Sequence, residues 1–323
     1  MATDRIAAFF RTRPLAIERT RLPELFERAE TQAARMAGMT PQQIDRAVRA
    51  ATDTPLGRVV GATAVIPITG VITQKSFDAW FFGGTSVERL LFAFRQYLND
   101  PAVSAIVFDV DSPGGEAYGL QEGFEEIFAA RDRKPVVSII NPYMASAAYF
   151  LGCAASTIWM TKSGQVGSIG CYTLHLDFSE MLRQAGVSPT LIFHGAHKVD
   201  GNQYEALSDD ARDDLQASVS YYGEAFEAAV AKGRGVSVAE VRADFGQGRM
   251  FHAPEARRIG LVDRIGTRDE LLASLARGRG QALAAAAGLA ARVSAPPAPL
   301  DAHARQLQRD ADEIAITLAL TEI

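Results

Sequence analysis

Between residues 56 and 271 short apolar runs alternate with amphipathic stretches of helical length. SAIVFDVDS, PVVSII, STIWMTK and PTLIFHG read as strands, while SVERLLFAFRQYLND, GLQEGFEEIFAARDR and the stretch around DFSEMLRQAG read as helices. Strands separated by a helix cannot pair as hairpins, so they form βαβ units, a largely parallel sheet and right-handed crossovers. The alternation predicts an α/β core. Within it GATAVIPITGVIT reads as a strand pair about a Gly hinge, and Thr85-x-x-Glu88 as a capping box opening the next helix.

The flanks have a different texture. Residues 1–55 hold nine Arg, no Lys and seven acidic residues, and stretches such as TRLPELFERAETQAARMAG predict a helical N-terminal extension. Residues 272–323 contain an Ala/Pro-rich linker, QALAAAAGLAARVSAPPAPL (281–300), and end in a helical tail. The domain boundaries expected are therefore 1–55, 56–271 and 272–323. The net charge of −5 falls on the central segment, so no basic field points to nucleic acid. Cys153 and Cys171 are too few for a disulfide framework or a thiolate zinc site, and no metal or cofactor is implied. The apolar run Ile6–Phe10 is too short for a secretory signal. Val136–Met160 is apolar but broken by Asn141, Pro142 and Gly152, which makes it a buried strand, a turn and a small-residue helix rather than a membrane anchor. A soluble, cytoplasmic chain is the expectation.

Three places could carry chemistry. Asp111-Ser112-Pro113-Gly114-Gly115 follows a strand and precedes a helix; it is either a plain turn or a close-approach backbone whose N–H groups stabilise an oxyanion. Ser146 sits at the strand–turn–helix junction of YMASAAY, as a nucleophile with the Ala147 N–H as oxyanion donor, or as a small residue that permits tight packing. It lacks the G-x-S-x-G pattern of an α/β-hydrolase elbow. Gly164–Gly170 (GQVGSIG) has no Lys-Ser/Thr after its last glycine, so it reads as a turn along a cleft rather than a phosphate loop. A serine needs a base. Arginine stays protonated and none of the five histidines sits in a telling pattern, whereas a lysine can serve where burial lowers its pKa. Lys198, just past PTLIF, is a candidate base if the strand end projects it into a cleft, and otherwise a solvated loop residue.

In combination these segments resemble the signal peptide peptidase A family of serine proteases, which share the Clp protease/crotonase fold, and most nearly its phage head-maturation or capsid assembly branch. The resemblance is carried in order by DSPGG (111–115), the serine helix (144–152), GQVGSIG (164–170), GAHKVDGNQYEALSDDAR (195–212) and GRMFHAPEARRIGLVDRIG (248–266). It implies a serine endopeptidase with Ser146 as nucleophile, Lys198 as general base and the N–H groups of Gly115 and Ala147 as oxyanion hole. Gly114, Gly167, Ser168 and His175 would line the substrate cleft, with His175 a second candidate base or orienting group. It implies no cofactor, protein or peptide substrates such as capsid, scaffold or portal proteins, and a homo-oligomer in which Ser146 and Lys198 could come from neighbouring subunits. Ser146-Ala147-Ala148 departs from the family's commoner Ser-Gly-Gly or Ser-Ala-Gly. A non-enzymatic head scaffold and a crotonase-type acyl-CoA enzyme, for which Glu116 is the acid beside the first oxyanion loop, are the alternatives.

Overall fold

The computed structural model describes residues 13–277. The Ile6–Phe10 run and residues 278–323 of the expected C-terminal extension lie outside them. The strands are β1 (Leu15–Ile17), β2 (Arg58–Val60), β3 (Thr63–Thr73), β4 (Ala105–Glu116), β5 (Val136–Ala145), β6 (Thr157–Met160), β7 (Gln165–Gly167), β8 (Met250–His252) and β9 (Arg264–Ile265), with a further two-residue strand, Thr85–Ser86, paired parallel with the end of β3. The sheet runs in the order β9-β6-β5-β4-β3-β2, parallel from β9 to β3 and closed by antiparallel β2. The parallel α/β architecture expected of the Clp protease/crotonase fold is present. Past the end of β6, β7 pairs parallel with the last residues of β5 and antiparallel with β8, and β1 pairs antiparallel with the last residues of β4.

The helices are α1 (Leu22–Ala37), α2 (Pro41–Thr52), α3 (Ser76–Phe82), α4 (Val87–Asn99), α5 (Leu120–Ala129), α6 (Ala147–Gly152), α7 (Ser179–Gln184), α8 (Asp209–Arg234), α9 (Val238–Asp244), α10 (Ala253–Arg258) and α11 (Arg268–Arg277). Strand periodicity splits the central strands between two buried faces. Ile66, Ile68, Ile106, Phe108 and Val110 pack with Leu90 and Phe94 of α4, Phe124 of α5 and Phe226 of α8. Val65, Val107, Val137 and Ile139 meet Leu271, Leu272 and Leu275 of α11 on the other face. Burial on both faces explains why SAIVFDV and PVVSII are almost continuously apolar. Among the described residues no helix is long and apolar enough to cross a membrane.

Several expectations are corrected. GATAVIPITGVIT is one strand, β3, rather than two; at Gly70 (φ 62°) the ladder slips, and a Cβ there would lie 2.2 Å from the Gly83 carbonyl oxygen. Ser86 caps α4 in place of Thr85, because the Thr85 hydroxyl is spent on the Thr69 backbone, accepting from its N–H and donating to its carbonyl, both at 2.9 Å. PTLIFHG forms no strand: among the described residues no neighbour supplies a ladder, and Ile192 (96% exposed) and Phe193 lie in the open. The segment expected to be helical before residue 55 contributes a buried strand, β1, alongside α1 and α2.

Candidate active site

The site forms where β4, β5 and β7 end side by side. β4 does not turn at DSPGG but continues through it to Glu116, with its register slipping between Val110 and Ser112. The continuation demands glycine. A Cβ at Gly115 would stand 1.7 Å from the Ile72 carbonyl oxygen of β3. At Gly114 (φ 98°) it would meet the Ala16 carbonyl oxygen at 2.2 Å and Ser146 Cβ at 2.9 Å. The plain-turn reading of DSPGG therefore gives way to close approach. Ser112 fixes the loop from inside, donating to the Gly70 carbonyl (2.6 Å) and accepting from the Gly114 N–H (3.2 Å).

Ser146 occupies the step between β5 and α6 with φ 55° and ψ −120°, a conformation that costs energy for any residue with a side chain. Its backbone is held from both sides, because its N–H donates to the Gly167 carbonyl (2.9 Å) and its carbonyl accepts from the Phe150 N–H (2.9 Å). The side chain is 1% exposed, and its hydroxyl has no hydrogen-bond partner among the described residues. A buried, unpartnered hydroxyl on a strained step is what a nucleophile awaiting its base looks like, although the G-x-S-x-G pattern is missing. Ala147 and Ala148, both fully buried, let α6 sit against the sheet, and Ala147 places its N–H in the first turn beside Ser146. Gly167 and Ser168 complete this wall: Ser168, also at φ 55°, donates its N–H to the Arg249 carbonyl (2.8 Å). Ser146, Gly114, Gly115, Ala147, Gly167 and Ser168 are thus brought together.

The candidate bases are not. Lys198 lies in an exposed turn closed by its own N–H to the Gly195 carbonyl (3.1 Å), and its side chain takes no part in the hydrogen bonds around Ser146. His175 is half-buried, with Nε2 3.1 Å from the Asn202 carbonyl oxygen. Glu116, the acid the acyl-CoA alternative would use, is fully buried and already engaged by the Arg13 guanidinium and the Gln74 N–H. Burial pushes its carboxyl above the usual range despite those two partners. Arg13 also pairs with Asp78 (2.9 Å). Burial raises the thiols of Cys153 and Cys171 to about 12; both are free cysteines, so neither is a poised nucleophile.

Residues 13–28 are the part of the site that sequence reasoning missed. β1 lies along Gly114–Glu116 and is bridged on its other side to Tyr172 by paired backbone bonds of 2.8 and 2.9 Å. Beyond it, a cavity of about 440 Å³ is lined by Arg21, Leu25, Gly70, Asp111, Pro113 and Tyr143, and the Arg21 guanidinium stands 5.0 Å over the Tyr143 ring. The only sequence signal was the apolar run Pro-Leu-Ala-Ile between Arg13 and Glu18.

The sequence profile of peptidase family S49 matches residues 129–282. The chain is 35% identical over 209 residues to the head-tail preconnector protein GP5 of Enterobacteria phage P21, covering 64% of this chain and 41% of that one. It is 33% identical over 209 residues to the capsid assembly protease C of Escherichia phage lambda, covering 64% and 47%. A putative protease of Synechocystis sp. is 31% identical over 209 residues, covering 64% of this chain and 70% of that one. The chain thus spans less than half the length of the two phage relatives.

Proposed function

The chain belongs to peptidase family S49, and on that footing we propose that it is a serine endopeptidase acting on capsid, scaffold or portal proteins during phage head maturation, in the host cytoplasm or the procapsid. The observation that carries this reading is the buried, unpartnered hydroxyl of Ser146 beside the glycine backbone of β4. Ser146 Oγ attacks the scissile carbonyl, and its proton passes to the neutral amine of Lys198. The oxyanion rests on the N–H groups of Gly115 and Ala147. Collapse breaks the C–N bond, the new amine leaves with the proton, and water then hydrolyses the ester to restore Ser146.

The base is the conditional part. A lysine acts as a base only when it is neutral, and burial favours that form. Lys198 gains burial when a second copy of the chain covers the segment that carries it, whose Met181, Val187, Ile192 and Phe193 are exposed apolar side chains awaiting a partner. We therefore place Ser146 and Lys198 of one working site on neighbouring subunits of a homo-oligomer, with His175 orienting the substrate. Co-expression of wild type and Ser146→Ala with candidate capsid and scaffold proteins tests the activity: shortened products appear on a gel with wild type only. Equal patterns from both chains would reject the peptidase reading.

A further inference from the structure

The strand β1 lies antiparallel along Gly114–Glu116, on the glycine backbone beside Ser146. In an antiparallel ladder hydrogen-bonded and non-hydrogen-bonded pairs alternate. The Ala117 N–H donates to the Pro14 carbonyl (3.0 Å), and the Glu18 N–H donates to the Pro113 carbonyl (2.8 Å). With Ile17 opposite Gly114, Ala16 opposite Gly115 and Leu15 opposite Glu116, the pair midway between those bonds, Ala16 with Gly115, is also a hydrogen-bonded one. The Gly115 N–H, assigned above to the oxyanion, is therefore spent on the Ala16 carbonyl. Gly114, in the non-bonded pair, turns its N–H inward to Ser112 instead. Proximity to Ser146 follows from the same geometry, since a Cβ on Gly114 would lie 2.2 Å from the Ala16 carbonyl oxygen and 2.9 Å from Ser146 Cβ, which sets both atoms against the same glycine.

The occupant is held by side chains as well as by backbone. Leu15 and Ile17 are 1% and 3% exposed and pack with Val71, Phe81 and Phe82. Ala16 is fully buried on the opposite side, in the cluster that contains Ile72 and Ala147. Arg13 supplies the countercharge of buried Glu116.

We propose that Arg13–Glu18 is a resident mimic of the substrate strand: it keeps the cleft closed with Ala16 presented to Ser146, and the peptides that replace it share its pattern of a basic residue, any residue, then apolar, small and apolar residues. Glu116 is in this account the residue that selects the basic side chain. Recognition is strand addition, in which backbone pairing gives affinity and alternate side chains give specificity. The proposal rests on the peptidase reading of Ser146, and its test separates the two.

The full chain carrying Pro14→Cys and Ala117→Cys places two thiols at a ladder pair whose Cα spacing, about 5.5 Å, suits a disulfide. The bridge is expected to form under mild oxidation and to tie β1 in place. Labelling of Ser146 by a fluorophosphonate should then be at least about tenfold slower than in the same variant after reduction, whereas Ala16→Pro, which removes a ladder N–H, should label faster than wild type. Comparing two redox states of one variant keeps the test independent of how well Ala16→Pro folds. A peptide RPLAIE should protect the Ala16→Pro chain from labelling, and EPLAIE should need at least about ten times the concentration. Failure of the bridge to form, or equal labelling in both redox states, overturns the proposal. A bridge that forms while no form of the chain labels leaves the seated strand standing and sinks the peptidase reading.

Discussion

Residues 136–170 and residues 186–207 carry the two halves of one proposed catalytic pair, and they could hardly be built more differently. The first stretch is core: β5, α6 and β7 are buried nearly throughout, and the backbone of Ser146 is bonded on both sides. The second has no helix, no strand and almost no burial, although it contains the Lys198 turn and the apolar run Leu191-Ile192-Phe193. On the proposed reading, the chain preorganises its nucleophile by its own packing and leaves its base to be ordered by something else. Rigid placement of the oxyanion donors is worth most when fixed in advance, whereas a lysine is harmless in water and becomes a base only once dried.

Truncating the reactive side chain of either half should separate activity from stability. Ser146→Ala should lower cleavage by at least about 1,000-fold while leaving the melting temperature nearly unchanged, as calorimetry beside a cleavage assay would register. Lys198→Ala should cost a comparable factor, again without loss of stability, because an exposed side chain contributes less than about 0.5 kcal/mol to the fold; activity surviving that change removes Lys198 from the mechanism. Gly115→Ala attacks the preorganised half through its packing. Its methyl would collide with the Ile72 carbonyl, and we expect at least about 3 kcal/mol of destabilisation in denaturant titration. Ile192→Asp should leave the isolated chain's unfolding free energy within about 0.5 kcal/mol of wild type yet weaken self-association by about tenfold or more in sedimentation. The smallest effect concerns the thiols. With Cys153 and Cys171 raised to about 12 by burial, little thiolate exists at pH 8, so alkylation should be slow in the native protein and complete after unfolding.

The difference between the two halves also decided what could be read in the sequence. The strand before Ser146 and the small-residue helix after it were legible because their signals are local, an apolar run and then small residues at helical spacing, but the turn read at Asn141-Pro142 is corrected: β5 runs through both residues to Ala145, where its last residues pair with β4 and β7. DSPGG was legible as a glycine requirement but not as a strand, since the partners that force it, Ile72 and Ala16, lie far away in the chain. PTLIFHG has the composition of a strand, yet composition does not supply a neighbour, and none pairs with it among the described residues. β1 failed in the opposite way: Leu15–Ile17 is too short to announce itself between Arg13 and Glu18, and its pairing partner is about a hundred residues distant. Thr85 and Ser86 show the finest grain, where a cap moved by one residue because Thr69 claimed the first hydroxyl.

The central claim, that one chain brings the nucleophile and a neighbour completes the base, is tested most directly by mixing. Ser146→Ala and Lys198→Ala chains, each inactive alone, are co-refolded or co-expressed and assayed on the same substrate. The account predicts that mixed assemblies regain a substantial fraction of wild-type cleavage, because some sites pair an intact Ser146 with an intact Lys198 from the other chain. Mixtures as inactive as either parent, while wild type cleaves, would contradict it and place both residues in a single subunit.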